Sequence, residues 1–265
     1  MLSDAPKPNR SPAVVKRPGE QRSRSRSATR ALDVLELFGI RRCPLRAVEI
    51  GAALDLNPSS TNQMLKTMIG SGHLVFDARR KTYLPSARLT KFSRWIGVLY
   101  GPGADVGDLL AEVGLRTNLV ATASSPNDLF MQIIDSAIPE GATAERGLRI
   151  SIFGSAVGSA YLSTLDDADV TRLAVRARLS QARMQALPAE IAAVRAQGFA
   201  QGPSADDRIW SIALPLPATI FQVPTVLGIA GPYEAVRDDA PALVEMARGA
   251  IRDRCGRSVE AGEEG

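Results

Sequence analysis

The sequence predicts an α+β protein of two domains, and three observations carry that reading. Its 265 residues suit two cores of ordinary size. Apolar residues recur at helical spacing in the first third, whereas strand-like and helical segments mix afterwards. Charge also divides along the chain: residues 1–100 hold 18 Lys and Arg against 7 Asp and Glu, a balance of +11, and residues 101–265 hold 14 against 21, a balance of −7. Residues 1–30 supply 8 against 2 of these, so the basic excess continues beyond the amino-terminal tail. A basic domain followed by an acidic one implies that only the first meets a polyanion.

The expected organisation is a disordered basic tail over residues 1–26, a first domain over 27–85, a linker helix over 86–103 and a second domain over 104–265. The tail carries Lys7, Arg10, Lys16, Arg17, Arg22, Arg24 and Arg26 and has no apolar segment of the secretory kind. No apolar run approaches the roughly 18 residues of a membrane span, so a soluble, cytoplasmic protein without a membrane partner is expected. Cys43 and Cys255 lie far apart without ligand-type spacing, and neither a disulfide, a metal site nor a cofactor is expected.

In the first domain, Ala28, Ala31, Leu32, Leu35 and Phe38 mark one face of a helix over residues 27–38. A second, short helix spans 45–54, with Val48 and Ala52 on one side. The third is the best marked: Asn57 caps it, Pro58 suits its first turn and Gly72 follows its end. Met64, Leu65, Met68 and Ile69 form its inner face. Ser59, Ser60, Asn62, Gln63, Lys66 and Thr67 form the rest, a hydrogen-bonding set with one positive charge and no acid. Amides and hydroxyls of this kind read base edges in a major groove, and a lysine approaches phosphate; a plain solvent-facing surface is the alternative. Residues 74–76 and 82–84 read as strands of a hairpin, a wing whose tip carries Arg79, Arg80 and Lys81. Three crowded cations call for an anionic neighbour, which a DNA backbone supplies. His73, the single histidine, has no partner His or Cys near it in sequence and is read as structural.

Together these residues describe a winged helix-turn-helix, and the run from Ser27 to Leu89 resembles the DNA-binding domain of the isocitrate-lyase-regulator, or IclR, family of bacterial transcription factors. The matching residues are Ala31-Leu32-Asp33-Val34-Leu35, Leu45 with Glu49-Ile50, Ser59-Ser60 followed by Leu65 and Thr67, Gly72, Tyr83-Leu84 and Arg88-Leu89. Gln63 stands where the family commonly has an arginine, and Pro85 where it has a glycine. The resemblance implies a double-stranded DNA operator as partner, with repression the family's commoner habit.

Leu89, Phe92, Ile96 and Leu99, with Trp95, give residues 86–100 an apolar helical face. In the family the corresponding segment helps dimerise the chain, so a homodimer or homotetramer is expected; an intramolecular packing face is the alternative. Beyond it, helices are expected over 105–116, 155–165, 169–179, 188–197 and 240–255. Strands are expected over 118–123, 129–134, 149–153, 209–216 and 225–230, with residues 124–128 as a hairpin turn. This mixture argues an antiparallel sheet with helices.

The resemblance extends through Gly147-Leu148-Arg149, residues 155–160, 194–199 and Ile212-Ala213-Leu214-Pro215 to Gly231-Pro232, with Ser159 in place of a usual lysine. It implies a GAF-like effector-binding domain that holds a small organic acid between the sheet and a segment from Phe153 through Ser155 and Ala156 to Val157. By position, Ser211, Ala213, Gly228 and Ala230 line that cup from the sheet. Trp210 adds an indole, pointing to an aromatic or largely apolar acid, although Trp210 and Phe153 are equally readable as core. Backbone N–H groups near Ser155 are expected to meet the carboxylate, with Arg149 or Arg208 adding a charge unless they lie on the surface.

Catalysis is not expected. The second domain has no histidine and only Cys255, which leaves no imidazole or ordinary thiol chemistry, and Asp166-Asp167 and Asp206-Asp207 read as caps or turns. The rival from another class is a DNA-binding architectural protein whose acidic half only dimerises.

Overall fold

The computed structural model describes residues 26–100, 106–139, 147–203, 208–218, 221 and 223–260. The described residues fall into two compact units, one up to Val98 and one from Leu99 onward. Most of the expected basic tail, and the pair Asp206-Asp207, lie outside the described residues.

The first unit holds α1 (Arg26–Arg41), α2 (Ala47–Ala53), α3 (Pro58–Gly70), β1 (Leu74–Asp77), β2 (Thr82–Pro85) and most of α4 (Leu89–Tyr100). Its core is Val34, Leu37, Phe38, Leu45, Ile50, Leu65, Met68 and Leu74. The buried stripe of α1 is turned from the expected one, since Leu32 is exposed and Val34 and Leu37 are buried. On α2 the inward face is Ile50 and Gly51, whereas Val48 and Ala52 face outward. Gly51 decides this by allowing close approach, because a Cβ there would lie 3.1 Å from Thr61 Oγ1 and 3.3 Å from the Leu56 carbonyl oxygen. The hairpin is antiparallel, with Phe76 opposite Tyr83. It is tied to the helices by Leu45, whose N–H donates to the Tyr83 carbonyl at 3.1 Å and whose carbonyl accepts from the Tyr83 N–H at 2.8 Å.

The second unit is built on an antiparallel six-stranded sheet in the order β5-β4-β3-β8-β7-β6. The strands are β3 (Val120–Asn127), β4 (Phe130–Ala137), β5 (Arg149–Ser151), β6 (Ala200–Pro203), β7 (Ile209–Pro215) and β8 (Val226–Pro232). The helices are α5 (Val106–Thr117), α6 (Ala156–Leu162), α7 (Asp167–Arg176), α8 (Gln181–Gln197), α9 (Tyr233–Asp238) and α10 (Ala240–Glu260). Alternation along the strands splits the core by faces. Ala121, Ala123, Ile212, Leu214, Leu227 and Ile229 pack with α5, α9 and α10. Met131, Ala213 and Val226 pack with α6, α7 and α8 on the other face.

Several boundaries differ from expectation. The hairpin turn between β3 and β4 is shorter than residues 124–128, because Ser124, Ser125 and Pro126 pair with Ile133, Gln132 and Met131. Pro126 is tolerated because β8 pairs with β3 only as far as Ser124, so that end of the strand has one neighbour. Helix α8 begins seven residues before Pro188, capped by the Ser180 hydroxyl, and contains the proline. Helix α6 is shorter than expected, and β6 and α9 were not legible at all. Asp166 does cap α7, its carboxylate accepting from the Asp169 N–H at 2.7 Å.

Candidate functional site

The site in the first unit is built on α3. The Asn57 side chain accepts from the Ser60 N–H at 2.8 Å, which fixes where the helix starts and satisfies one of its free donors. At the other end Gly72 takes φ +73°, and the Arg88 guanidinium donates to the Ser71 carbonyl at 3.1 Å. His73 is held locally, its Nδ1 lying 2.9 Å from the Ser71 hydroxyl. Thr61, Leu65 and Met68 are buried. Ser59, Asn62, Gln63, Lys66 and Thr67 are exposed, and Ser60 is half-buried. The Thr67 hydroxyl donates to the Gln63 carbonyl; no hydrogen bond or ion pair is recorded for the Gln63 amide or the Lys66 ammonium among the described residues.

The wing follows from the C-terminal end of α3. Arg79, Arg80 and Lys81 are exposed at its tip, where Lys81 has φ +57°. The Asp77 carboxylate accepts from the backbone N–H groups of Arg79 at 2.8 Å and Arg80 at 3.1 Å. These two bonds, the Arg80 one first, hold its carboxyl below the usual range. The tip is therefore shaped by an acid that uses backbone donors, which leaves the three cationic side chains pointing outward. Cys43 is an exposed free thiol in the connection between α1 and α2.

In the second unit the expected cup residues are only partly brought together. Phe153, Ala156, Val157 and Ala213 share one apolar cluster. Gly228 belongs to the same face: a Cβ there would lie 2.6 Å from Thr122 Oγ1 and 3.3 Å from a Val157 methyl. Ser211 and Ala230 are register partners on that face, both half-buried. Ser155 caps α6, its hydroxyl accepting from the Gly158 N–H at 3.1 Å, so one of the donors assigned to a carboxylate already has a partner.

Trp210 and Arg149 lie away from the α6 face, as the alternatives open in the sequence allowed. Side chains alternate across a strand, and Trp210 lies between Ile209 and Ser211 with its ring on the α5 and α10 side. There it meets Tyr233 edge-on at 5.0 Å and donates from Nε1 to the Gln201 side chain at 3.3 Å. Arg149 pairs in register with Gln132, while Ile150 beside it points into the α6 cluster. Its guanidinium instead stacks over the Phe130 ring at 4.8 Å. Arg208 is exposed just ahead of β7, in phase with Trp210 and out of phase with Ser211.

Two further polar residues, which the sequence did not point to, lie on the same face of the sheet. Thr122 pairs with Gly228 and Ser124 with Val226, which places both on the α6 side. Both are buried, and the Ser124 hydroxyl has no hydrogen-bond partner among the described residues. The available signal was the residue alternation, but residues 124–128 read as a turn and not as strand.

Residues 27–78 match the model of the IclR helix-turn-helix domain. Over these residues the first unit is similar to the IclR helix-turn-helix domain. Beyond that domain the likeness is one of fold. An IclR transcriptional regulator structure from Silicibacter sp. is 18% identical, with 88% of this chain and 96% of that chain covered at a TM-score of 0.53. The Thermotoga maritima IclR is 15% identical over 86% and 98%, with a TM-score of 0.50. An IclR homolog from Microbacterium hydrocarbonoxydans, solved with 4-hydroxybenzoate, is 16% identical over 86% and 98%, with a TM-score of 0.51. No curated protein matches by sequence. The resemblance that the sequence carries to the IclR regulators is thus met by the domain match over residues 27–78 and by the α+β fold. No helix among the described residues is long and apolar enough to cross a membrane.

Proposed function

We propose that this chain is a ligand-responsive repressor that reads an operator with α3 and answers to a small organic acid in its second domain. The observation that carries the reading is the outer face of α3, exposed and free of acids, with an outward cationic wing tip following its end. Gln63 and Asn62 are the base-reading residues, Ser59, Ser60, Lys66 and Thr67 position the helix, and Arg79, Arg80 and Lys81 hold phosphates. The IclR helix-turn-helix match supports this assignment.

For the effector, the face under α6 offers Phe153, Ser155, Val157, Ser211, Gly228 and Ala230, to which Thr122 and Ser124 add hydroxyls. Few polar groups set in an apolar surround are how small ligands are usually oriented. The 4-hydroxybenzoate of the Microbacterium homolog supports an aromatic acid; Trp210, facing the other side of the sheet, does not. The effector must favour one DNA-binding arrangement over another, since equal affinity for both shifts nothing.

The deciding experiment is selection of bound duplexes from a random pool by the full chain and by Gln63→Ala. A specific consensus is expected for the parent chain. The variant should lose preference at one base position, at a cost of about 1–3 kcal/mol for a bidentate contact. An unchanged consensus overturns the role of Gln63, and no consensus from either chain overturns sequence-specific binding. Aromatic acids added to the parent should raise its melting temperature, because a ligand that binds only the native state stabilises it. A purely architectural protein would show no such rise.

A further inference from the structure

A second surface of the first unit continues the face of α3. Between α1 and α3 lies an open cleft of about 430 Å³. Arg30 and Ser27 border it from the first turns of α1, Ser59 and Gln63 from the first turns of α3, and Ala31 and Met64 are among its apolar residues. No acid lines it. Arg30 is exposed and has no ion-pair partner among the described residues. In sequence, Arg22 and Arg24 precede α1 and Arg26 begins it.

Resting on the DNA reading above, we propose that this cleft seats the sugar–phosphate backbone of the operator, with Arg30 as a phosphate contact. The argument is one of dimensions and charge. A helix with its side chains is about 10–12 Å across and nearly fills a major groove about 12 Å wide. When Gln63 faces the base edges, the backbone strand bounding the groove passes Ser59 and comes within side-chain reach of the element beside it. That element is α1, and it presents a cation and a hydroxyl over apolar residues that suit the carbon face of deoxyribose. The wing cannot supply this contact, because it leaves from the opposite, C-terminal end of α3. Arg30 thereby fixes the register of the N-terminal half of α3 without reading sequence.

The test measures the salt dependence of binding to one duplex selected by the parent chain, using full-length Arg30→Ala, Arg30→Lys and Arg41→Ala. Arg41 lies on the same helix, eleven residues further along, also exposed. It makes the same charge change about 16 Å from Arg30. Arg30→Ala is expected to lower the slope of log affinity against log salt by about one. It should weaken unrelated duplexes by the same factor and leave the melting temperature and the selected consensus unchanged. Arg30→Lys should restore the slope, and Arg41→Ala should leave it at the parent value. A parental slope in Arg30→Ala, with specific binding retained by the parent, overturns the cleft as a backbone seat while leaving α3 as the reading helix. Equal losses in Arg30→Ala and Arg41→Ala overturn it too, since they would report net charge alone. Absence of specific binding by the parent removes the reading on which the proposal rests.

Discussion

Ser124 lies on the α6 side of the sheet with its hydroxyl buried and, among the described residues, without a partner, a placement that costs about 1–3 kcal/mol when no hydrogen bond compensates. A core Ala would avoid that cost, which makes the hydroxyl intelligible as a group that orients a ligand. Ser124→Ala is therefore expected to leave the free protein as stable or to raise its stability by up to about 1 kcal/mol, read as a small rise in melting temperature. The same variant should lower the ligand-induced rise seen with aromatic acids. If the free protein is strongly destabilised, the hydroxyl serves packing and not recognition. Ala213, by contrast, is fully buried in the apolar cluster with Val157. A large residue there would disrupt the core before it blocked a ligand.

At the scale of elements, the wing shows how one acid sets the geometry of three cations. The Asp77 carboxyl is held below its usual range by the Arg80 and Arg79 backbone N–H groups. A group whose folded pKa is lowered contributes stability that is present above its unfolded value and lost as pH falls through the folded one. The turn should thus stay ordered through neutral and mildly acidic pH and loosen only below the ordinary carboxylate range. The amide chemical shifts of Arg79 and Arg80 should titrate together there, and in Asp77→Asn this acid-range titration should vanish. Amide shifts that titrate near neutrality would show that another group governs the tip. Helix α3 works by the same economy, since its cap, its proline and its glycine lie in the sequence just where the helix begins and ends.

For the whole molecule, the relevant surface is the apolar face of α4, where Phe92, Trp95 and Ile96 are 54%, 62% and 43% exposed among the described residues. An intramolecular packing face is the alternative to a homodimer seam here, and the oligomeric state in solution decides between them. A dimer would also let two helix-turn-helix units address two half-sites related by symmetry. Light scattering of the parent chain is expected to give at least a dimer. Trp95→Glu should weaken the association by about 2 kcal/mol, roughly thirtyfold, as loss of an aromatic anchor does. A parent that is monomeric at micromolar concentration would remove α4 from the interface.

The sequence by itself determined the three helices and wing of the first unit, because caps, prolines, glycines and helical spacing are local signals that act within a few residues. The acid-free face of α3 was legible for the same reason: which residues share a helical face follows from spacing. Only the tertiary structure decided which side of each second-domain residue meets which layer. Trp210 and Ser211 are neighbours in sequence, yet the pleat sends them to opposite faces, and it sends Arg149 away from the apolar cluster that Ile150 joins. Ser124 and Pro126 look like turn residues, but pairing of β3 with β4 holds them in a strand. Gly51 turned α2, and Gly228 let Val157 and Thr122 approach the sheet, through contacts with residues distant in the chain. Such choices are made by long-range packing, where the space left by one element selects the face of another, and no local pattern encodes them.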